Sequence, residues 1–111
     1  MSSVPWIVET LGEIVDDEIA ALPVGLRARL VRLMEMVEQI GLERLREPHV
    51  RHLEGKLWEL RASAAEGIAR GIYVTAIGRR VVILHVFVKK SQKTPSFALE
   101  TARRRLRQME R

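Results

Sequence analysis

Five basic side chains in this sequence have types and spacings suited to chemistry on an anionic substrate. Lys89, Lys90 and Lys93 are crowded into one short segment, so their ammonium groups repel one another and should face an anion or open water. Arg61 and Arg70 are single arginines within largely apolar segments, where a guanidinium needs an anionic partner or access to water. A guanidinium can hold a phosphate by two parallel hydrogen bonds. These residues therefore predict a surface that binds phosphate.

Ion pairs inside the fold would explain the two arginines equally well. Glu59 precedes Arg61 by two residues, and Glu66 lies between Arg61 and Arg70 along the chain. A structural pair with either carboxylate produces the same pattern of residues as a phosphate site. Residue types alone therefore leave both interpretations open.

The lysines follow a short apolar segment that has the composition of a buried β-strand. Residues 81–88 are rich in Val and Ile, and His85 is their only polar member. We interpret His85 as a hydrogen-bonded core histidine rather than as a ligand. Residues 68–77 alternate between two faces, one of which carries Arg70. Strands 68–77 and 80–88 are therefore predicted to form an antiparallel hairpin.

The N-terminal third predicts a strand followed by two helices. Residues 6–9 are typical of a first strand, and Thr10 with Glu13 fits a capping box at the start of a helix. Apolar residues at helical spacing then predict a second helix over residues 24–40. Gly41 is placed to end that helix in a left-handed conformation.

The remaining segments complete the predicted order β-α-α-β-β-β-α. Residues 43–56 have no clean period and predict an irregular connection, and residues 57–61 alternate in part as a strand. Residues 62–67 are typical of a loop. Thr94 as cap and Pro95 at the first helical position predict the start of a basic C-terminal helix.

This order predicts an α+β fold in a single domain that spans residues 1–111. The sheet should be mainly antiparallel, with the N-terminal helix hairpin packed on one face and the basic helix at the C-terminal end. Hydrophobic residues make up 47% of the chain and charged residues 30%, which is typical of a folded protein.

Positive charge is concentrated in the last third of the chain. Residues 1–78 carry nine Lys/Arg and twelve Asp/Glu, whereas residues 79–111 carry ten Lys/Arg and two Glu. Such asymmetry indicates a region that faces a polyanion, although a solvated basic helix would produce it as well.

Several classes of site have no support in the sequence. The chain has no cysteine, so it has no disulfide framework and no thiolate metal site, which suits a reducing cytoplasm. Its three histidines lack the H-E-x-x-H spacing, and neither Gly-rich phosphate-binding loop is present. We see no signal peptide, and no apolar stretch approaches the roughly 20 residues that span a bilayer. We therefore predict a cytoplasmic protein without a metal, a cofactor or a membrane partner.

Three segments resemble the RelE/HigB superfamily of toxins, particularly its phage-derived HigB-like branch. They are Arg51–Arg61 (RHLEGKLWELR), Ile68–Val74 (IARGIYV) and Val82–Pro95, especially its part from Phe87 onwards (FVKKSQKTP), followed by a helix at residues 98–105. The pattern Phe-x-Lys-Lys-x-x-Lys-Thr-Pro in the third segment is the most specific of them. The N-terminal half resembles the superfamily only in its organisation.

The resemblance implies a toxin of a type II toxin–antitoxin pair with a compact RelE-like fold, which is similar to that of microbial ribonucleases. Such toxins are typically mRNA interferases that cut mRNA in the ribosomal A site without a metal ion. A ribose 2′-OH attacks the neighbouring phosphodiester, and the 5′-oxygen leaves. A cognate antitoxin, usually a helix-turn-helix protein in this branch, forms a hetero-oligomer with the toxin and keeps it inactive. The expected partners are thus the antitoxin, the ribosome and mRNA.

The resemblance also implies roles for individual residues. Arg61 and Arg70 would bind the phosphate, and Lys89 or Lys93 would transfer protons, since neighbouring positive charges favour a neutral amine. The expected RNA contacts are further basic side chains, namely His52, Lys56, Arg79, Arg80, Lys90, Arg103 and Arg104.

Two other functions remain open at this point. ParE-like toxins of the same superfamily inhibit DNA gyrase by protein contact, and they usually lack the basic set that this chain retains. A catalytically inactive relative would still bind nucleic acid, because a basic folded domain attracts phosphates. The retained lysines and arginines favour RNA cleavage.

Overall fold

The computed structural model describes residues 5–90 and 93–111, which form a five-stranded sheet and three α-helices. In chain order the elements are β1 (Ile7–Thr10), α1 (Glu13–Ala20), α2 (Val24–Ile40), a 3₁₀ turn (Leu42–Arg44), β2 (Val50–Glu54), β3 (Leu57–Ala64), β4 (Gly67–Ala76), β5 (Arg80–Lys89) and α3 (Ser96–Met109). The predicted α+β class is confirmed.

The sheet combines one parallel strand pair with three antiparallel pairs. Its order is β1-β5-β4-β3-β2, in which β1 runs parallel to β5 and the other neighbours are antiparallel. The β4–β5 pairing runs from Ala76↔Arg80 to Ile68↔Lys89, which confirms the predicted hairpin. β5 therefore joins the first strand of the chain to the rest of the sheet.

Two predictions for the middle of the chain are wrong. The sequence predicts an irregular connection over residues 43–56, but Val50–Glu54 pairs with β3 as an outer strand. The sequence also predicts a loop over residues 62–67, but β3 continues to Ala64 and β4 begins at Gly67. Four strands therefore follow the helix hairpin instead of three. Both errors have one cause, because pairing with a neighbour decides where a strand ends and local alternation does not.

Helix α2 has the predicted bounds, Val24–Ile40. Four of its apolar residues are buried, but Ile40 is 49% exposed and does not extend the apolar stripe as predicted. Gly41 follows with a φ of 96°, and its N–H donates to the Val37 carbonyl at 3.0 Å. A glycine tolerates this positive φ and so ends the helix, as the sequence predicts.

Both predicted side-chain caps are wrong. Thr10 is the last residue of β1, and its hydroxyl donates to the Asp16 carboxylate at 2.6 Å. Helix α1 starts at Glu13 with no side-chain cap. Helix α3 starts at Ser96, again without a side-chain cap, and the Thr94 hydroxyl binds a different carboxylate. In both cases the hydroxyl binds a side-chain carboxyl group instead of a backbone N–H at the start of the helix.

The sheet separates two hydrophobic clusters. On one face, α1 and α2 pack against a cluster that includes Leu60 and Tyr73. On the other face, Ala98 and neighbouring residues of α3 pack against a cluster that includes Ile72 and Leu84. The alternation of β4 therefore directs Tyr73 towards α2 and Ile72 towards α3.

Candidate phosphate-binding site

A buried cluster of charged side chains lies on the sheet face that carries α3. Glu59 and Arg61 are two residues apart on β3, so both side chains leave the same face as Leu57. Arg70 on β4 is the direct partner of Arg61 in the strand register. Glu59 and Arg70 have no exposed surface, and Arg61 retains 6%. The two arginines that the sequence singles out are thus immediate neighbours.

Glu59 is an anionic partner of Arg61, whose Nε lies 3.0 Å from Glu59 Oε1. Burial raises the pKa of Glu59, and this effect outweighs the hydrogen bond from Thr94 and the positive charges of Arg70, Arg61 and Arg51. Burial likewise lowers the pKa of Arg70, against the attraction of Glu59. The ion-pair interpretation of Arg61 is therefore confirmed. The site also contains Arg70, whose charge acts on the same carboxyl group.

Positive charge exceeds negative charge in this cluster. Arg51 is the register partner of Glu59 on β2, and its charge acts on both Glu59 and Arg70. Arg51 itself is exposed, whereas the guanidiniums of Arg61 and Arg70 are buried with the carboxyl group of Glu59. Because water screens charges weakly around the two buried guanidiniums, the cluster can attract a further anion. Sequence reasoning missed Arg51 as a site residue because it did not recognise β2, whose alternation would have placed Arg51 beside Glu59.

Thr94 connects this cluster to the lysine-rich segment. Its hydroxyl donates to Glu59 Oε2 at 2.9 Å, and its side chain is half-buried. Lys93 directly precedes Thr94 and is exposed. The bond from Thr94 to Glu59 therefore fixes the backbone next to Lys93 against the buried arginines.

A cavity of about 360 Å³ adjoins this contact, and we call it the cationic groove. Its lining residues are Arg51, His52, Leu53, Lys93, Thr94 and Leu99. It thus brings Lys93, which the sequence predicts to be catalytic, together with Arg51 and with the threonine that binds Glu59. Two cations at a partly apolar wall are suited to a sugar–phosphate group.

The other two lysines lie at the end of β5. Lys89 is the register partner of Ile68 on β4, so the two side chains lie on one face of the sheet. Arg70 lies two residues after Ile68 and therefore on that same face. Lys89 is half-buried and Lys90 is exposed. Lys89 therefore lies on the face of the buried cluster, but it is not part of the lining of the cationic groove.

The imidazole of His52 is held within the β2–β3 hairpin, although His52 borders the groove. Its Nε2 lies 2.9 Å from the Gly55 carbonyl oxygen, and its ring centroid lies 4.8 Å from that of Trp58. The register pairs His52 with Trp58 and Arg51 with Glu59. Of these two β2 residues, it is thus Arg51 that shares the face of the buried cluster.

Three predicted RNA contacts lie on or near α3. Lys56 Nζ pairs with Glu110 at 2.9 Å. Arg103 donates two hydrogen bonds of 2.6 Å to the Glu54 carboxylate, whereas Arg104 is exposed. The structure does not bring these side chains into the cationic groove.

Arg79 and Arg80 lie at the opposite end of the β4–β5 hairpin from Lys89. β5 has ten residues, so the two ends are roughly 30 Å apart at ~3.3 Å per residue. Arg79 donates to both oxygens of Glu43 at 3.1 and 3.2 Å, and Arg80 pairs with Glu9. The structure therefore does not bring these two predicted RNA contacts together with the buried cluster.

A second group of ionisable side chains joins α1, β5 and α3. His85 Nδ1 lies 3.1 Å from both oxygens of Glu18, which confirms the predicted hydrogen-bonded histidine. Arg105 lies 2.9 Å from Glu18 and donates to the Leu84 carbonyl at 2.8 Å, and Glu18 accepts the Val86 N–H at 2.9 Å. Because β1 covers only the first part of β5, these side chains satisfy backbone groups along its uncovered edge.

Neither a metal-binding cluster nor a membrane-spanning helix is found among residues 5–90 and 93–111. No three His, Asp or Glu side chains in these ranges are grouped so as to hold a metal ion. Within the same ranges, no helix is both long and apolar enough to cross a membrane.

Comparison with known proteins gives one family match. The model of the family described as phage derived protein Gp49-like matches residues 17–107 of the 111. No curated protein matches the chain. The matched range contains α2, β2 to β5, Lys93 and most of α3, so it includes the buried cluster and the cationic groove.

Proposed function

The chain belongs to the phage-derived Gp49-like family, and from this premise we propose that it is the toxin of a type II toxin–antitoxin pair. Its proposed activity is ribosome-dependent cleavage of mRNA by a RelE-like fold. The resemblance of residues 51–105 to RelE/HigB toxins supports this activity. The observation that carries it is the buried cluster of Arg61, Arg70 and Glu59 beside the cationic groove, which the exposed Arg51 lines.

The proposed reaction is a transfer of the phosphodiester to the neighbouring ribose oxygen. The 2′-oxygen loses its proton and bonds to phosphorus, while the 5′-oxygen leaves and takes up a proton. A 2′,3′-cyclic phosphate remains on the upstream fragment. The transition state carries additional negative charge on the phosphoryl oxygens, so fixed cations beside it lower the barrier.

The arginines would stabilise that charge without having to move. Arg61 is held by the buried carboxylate of Glu59, and Arg70 is its strand neighbour. Arg51 extends their positive field to the lining of the cationic groove, where a phosphate would lie. Preorganised charges of this kind need no reorganisation during the reaction, which makes them effective.

Proton transfer falls to a lysine in this proposal. Lys93 lines the cationic groove, whereas Lys89 lies on the same sheet face outside that lining. Glu59 is fully buried, and its two oxygens meet Arg61 and Thr94. We therefore regard Glu59 as a positioning residue and Lys93 as the first candidate for the acid–base group.

Primer extension on mRNA from cells that express the chain tests this function. New cuts in the A-site register, lost in Lys93→Ala and Arg51→Ala, are the expected result. Arg44→Ala is a matched control, because Arg44 is an exposed arginine outside the groove, and it should cut normally. Inhibited DNA supercoiling without cuts would favour a gyrase inhibitor, and RNA binding without cuts would favour an inactive relative.

A further inference from the structure

A groove lies between α2 and β3, on the side of the sheet away from α3. Its volume is about 630 Å³. Helix α2 contributes one continuous stripe at helical spacing, and the second wall comes from the end of β3 and the segment before β2. The lining residues are Gly25, Ala28, Arg29, Arg32, Leu33, Met36, Pro48, His49, Arg61, Ala62 and Ser63.

The second wall contains the last residues of β3, which extend beyond the end of its pairing with β2. The β2–β3 register ends at Val50↔Leu60, and one further bond joins the Arg61 N–H to the His49 carbonyl at 2.9 Å. β3 continues to Ala64, and antiparallel geometry directs the backbone groups of Ser63 to the same side as those of Arg61. Ser63 therefore offers a backbone N–H and a carbonyl to the groove, where another extended chain could pair with them.

The charge of the groove is positive on its helical side. Arg29 and Arg32 are exposed, and neither forms an ion pair with any residue of ranges 5–90 and 93–111. None of the lining residues is acidic. Glu66 lies near one end, where its carboxylate approaches Gly25. The long wall beside the open strand is therefore cationic.

We infer that this groove docks an acidic, extended polypeptide segment of a partner protein by strand addition to residues 61–64. A strand added at Ser63 would direct every second side chain towards α2, where Leu33 and Met36 lie beside Arg29 and Arg32, and the remaining side chains towards the opposite face of the sheet. The apolar stripe favours a polypeptide over an RNA strand, because a sugar–phosphate backbone gains little from aliphatic contacts. This inference names a contact for the partner in the proposed function and rests on that function only for the partner's identity.

The absence of cysteine allows a direct test. Ser63→Cys, labelled with an environment-sensitive fluorophore, is titrated with an eight-residue peptide that alternates Glu with Val. A saturable signal is expected, together with slower hydrogen exchange at the amide of residue 63, whereas the amide of residue 64 points towards β4 and should change little. The double variant Arg29→Glu/Arg32→Glu should weaken binding at least tenfold. The control Arg107→Glu/Arg111→Glu changes the net charge equally on exposed residues outside the groove and should weaken it much less.

Four results would overturn the inference. They are equal losses in the two double variants, an equal signal from a peptide that alternates Lys with Val, an equal signal from a single-stranded RNA of matched charge, and no saturation below about 1 mM, the weak end of specific affinity. The titration uses neither ribosome nor mRNA. Its failure therefore leaves RNA cleavage untouched, and a failure of RNA cleavage leaves the groove untouched.

Discussion

Two arginine pairs at opposite ends of the β4–β5 hairpin show how burial changes the meaning of an ion pair. Arg79 and Arg80 each meet their own carboxylate at the surface, Glu43 and Glu9, so positive and negative charges balance one to one. Arg61 and Arg70 lie in the interior with Arg51 nearby, and Glu59 is the carboxylate that acts on all three. The first arrangement is neutral and hydrated, whereas the second retains positive charge where water is scarce.

The balance of charges therefore marks an anion site better than the number of arginines does. A surface pair gains little energy because water and salt screen both partners. A buried group with excess charge costs free energy, and a ligand of opposite charge can recover part of that cost. The pair at residues 61 and 70 therefore has a physical reason to bind an anion that the pair at residues 79 and 80 lacks.

The largest effect is expected when the carboxyl group of Glu59 is removed. Glu59→Leu leaves the buried arginines without this carboxylate, and breaking a buried ion pair costs about 3–5 kcal/mol of unfolding free energy. Urea denaturation followed by circular dichroism measures the loss. Glu43→Leu, which breaks the surface pair with Arg79, should leave the urea midpoint almost unchanged. Similar losses in the two variants would remove the distinction between the two ends of the hairpin.

The next effect concerns the phosphate. Arg51→Ala should slow RNA cutting by about 10²-fold, the cost of removing one donor that stabilises a transition state. Arg80→Ala removes the same charge at the other end of the hairpin and should leave the cutting rate unchanged. Single-turnover cleavage on programmed ribosomes measures both rates. If Arg80→Ala slowed cutting as much as Arg51→Ala, RNA would contact both ends.

A smaller effect is expected from the bond that ties the lysine segment to the buried cluster. Thr94→Val removes the hydrogen bond to Glu59 and should cost about 1–2 kcal/mol, since it leaves a fully buried carboxyl oxygen without this donor. Thr101→Val is the matched control, because the Thr101 hydroxyl binds a carbonyl within α3 near the surface. Chemical denaturation compares the two. A Thr94 variant no less stable than the Thr101 variant would mean that this bond contributes nothing.

The smallest effect is a difference in pH dependence between two carboxylates. The hydrogen bond from Arg103 lowers the pKa of Glu54, so its contribution is present above pH 4.5 and is lost as pH falls through the lowered folded value. Burial raises the pKa of Glu59, so its ionisation reduces stability as pH rises from 4.5 through the raised folded value. Denaturation of Arg103→Met and the parent chain across acid pH should show their small stability difference vanish at low pH. A difference that persists there would contradict the assignment.

The sequence predicts those elements whose signal is local. The apolar spacing of α2 predicts its bounds, and the alternation of residues 68–77 identifies the face that carries Arg70. The segments that resemble known toxins contain Arg61, Arg70 and Lys93; in the structure Arg61 and Arg70 are strand neighbours, and Lys93 precedes the threonine that binds Glu59. Each of these inferences depends on a period or a motif within one short segment.

What sequence reasoning misses depends on contacts between distant segments. β2 is too short to be recognised until β3 pairs with it, and Arg51 is missed for the same reason. Thr94 has the sequence position of a helix cap, but its hydroxyl meets Glu59 from another strand. Glu18 and Arg105 meet His85 only because α1 and α3 both reach the uncovered edge of β5.

The parallel pairing of β1 with β5 has a consequence for folding kinetics. Strands β2 to β5 are joined by short turns, so they can assemble from contacts that are close in sequence. Ile7 pairs with Arg80 and Thr10 with Ile83, so β1 can pair with β5 only when segments about 73 residues apart in sequence come together. Contacts at such separation form slowly because a long loop must first close. We therefore expect β1 to dock last in refolding, and native-state hydrogen exchange to find its amides the first of the sheet to open.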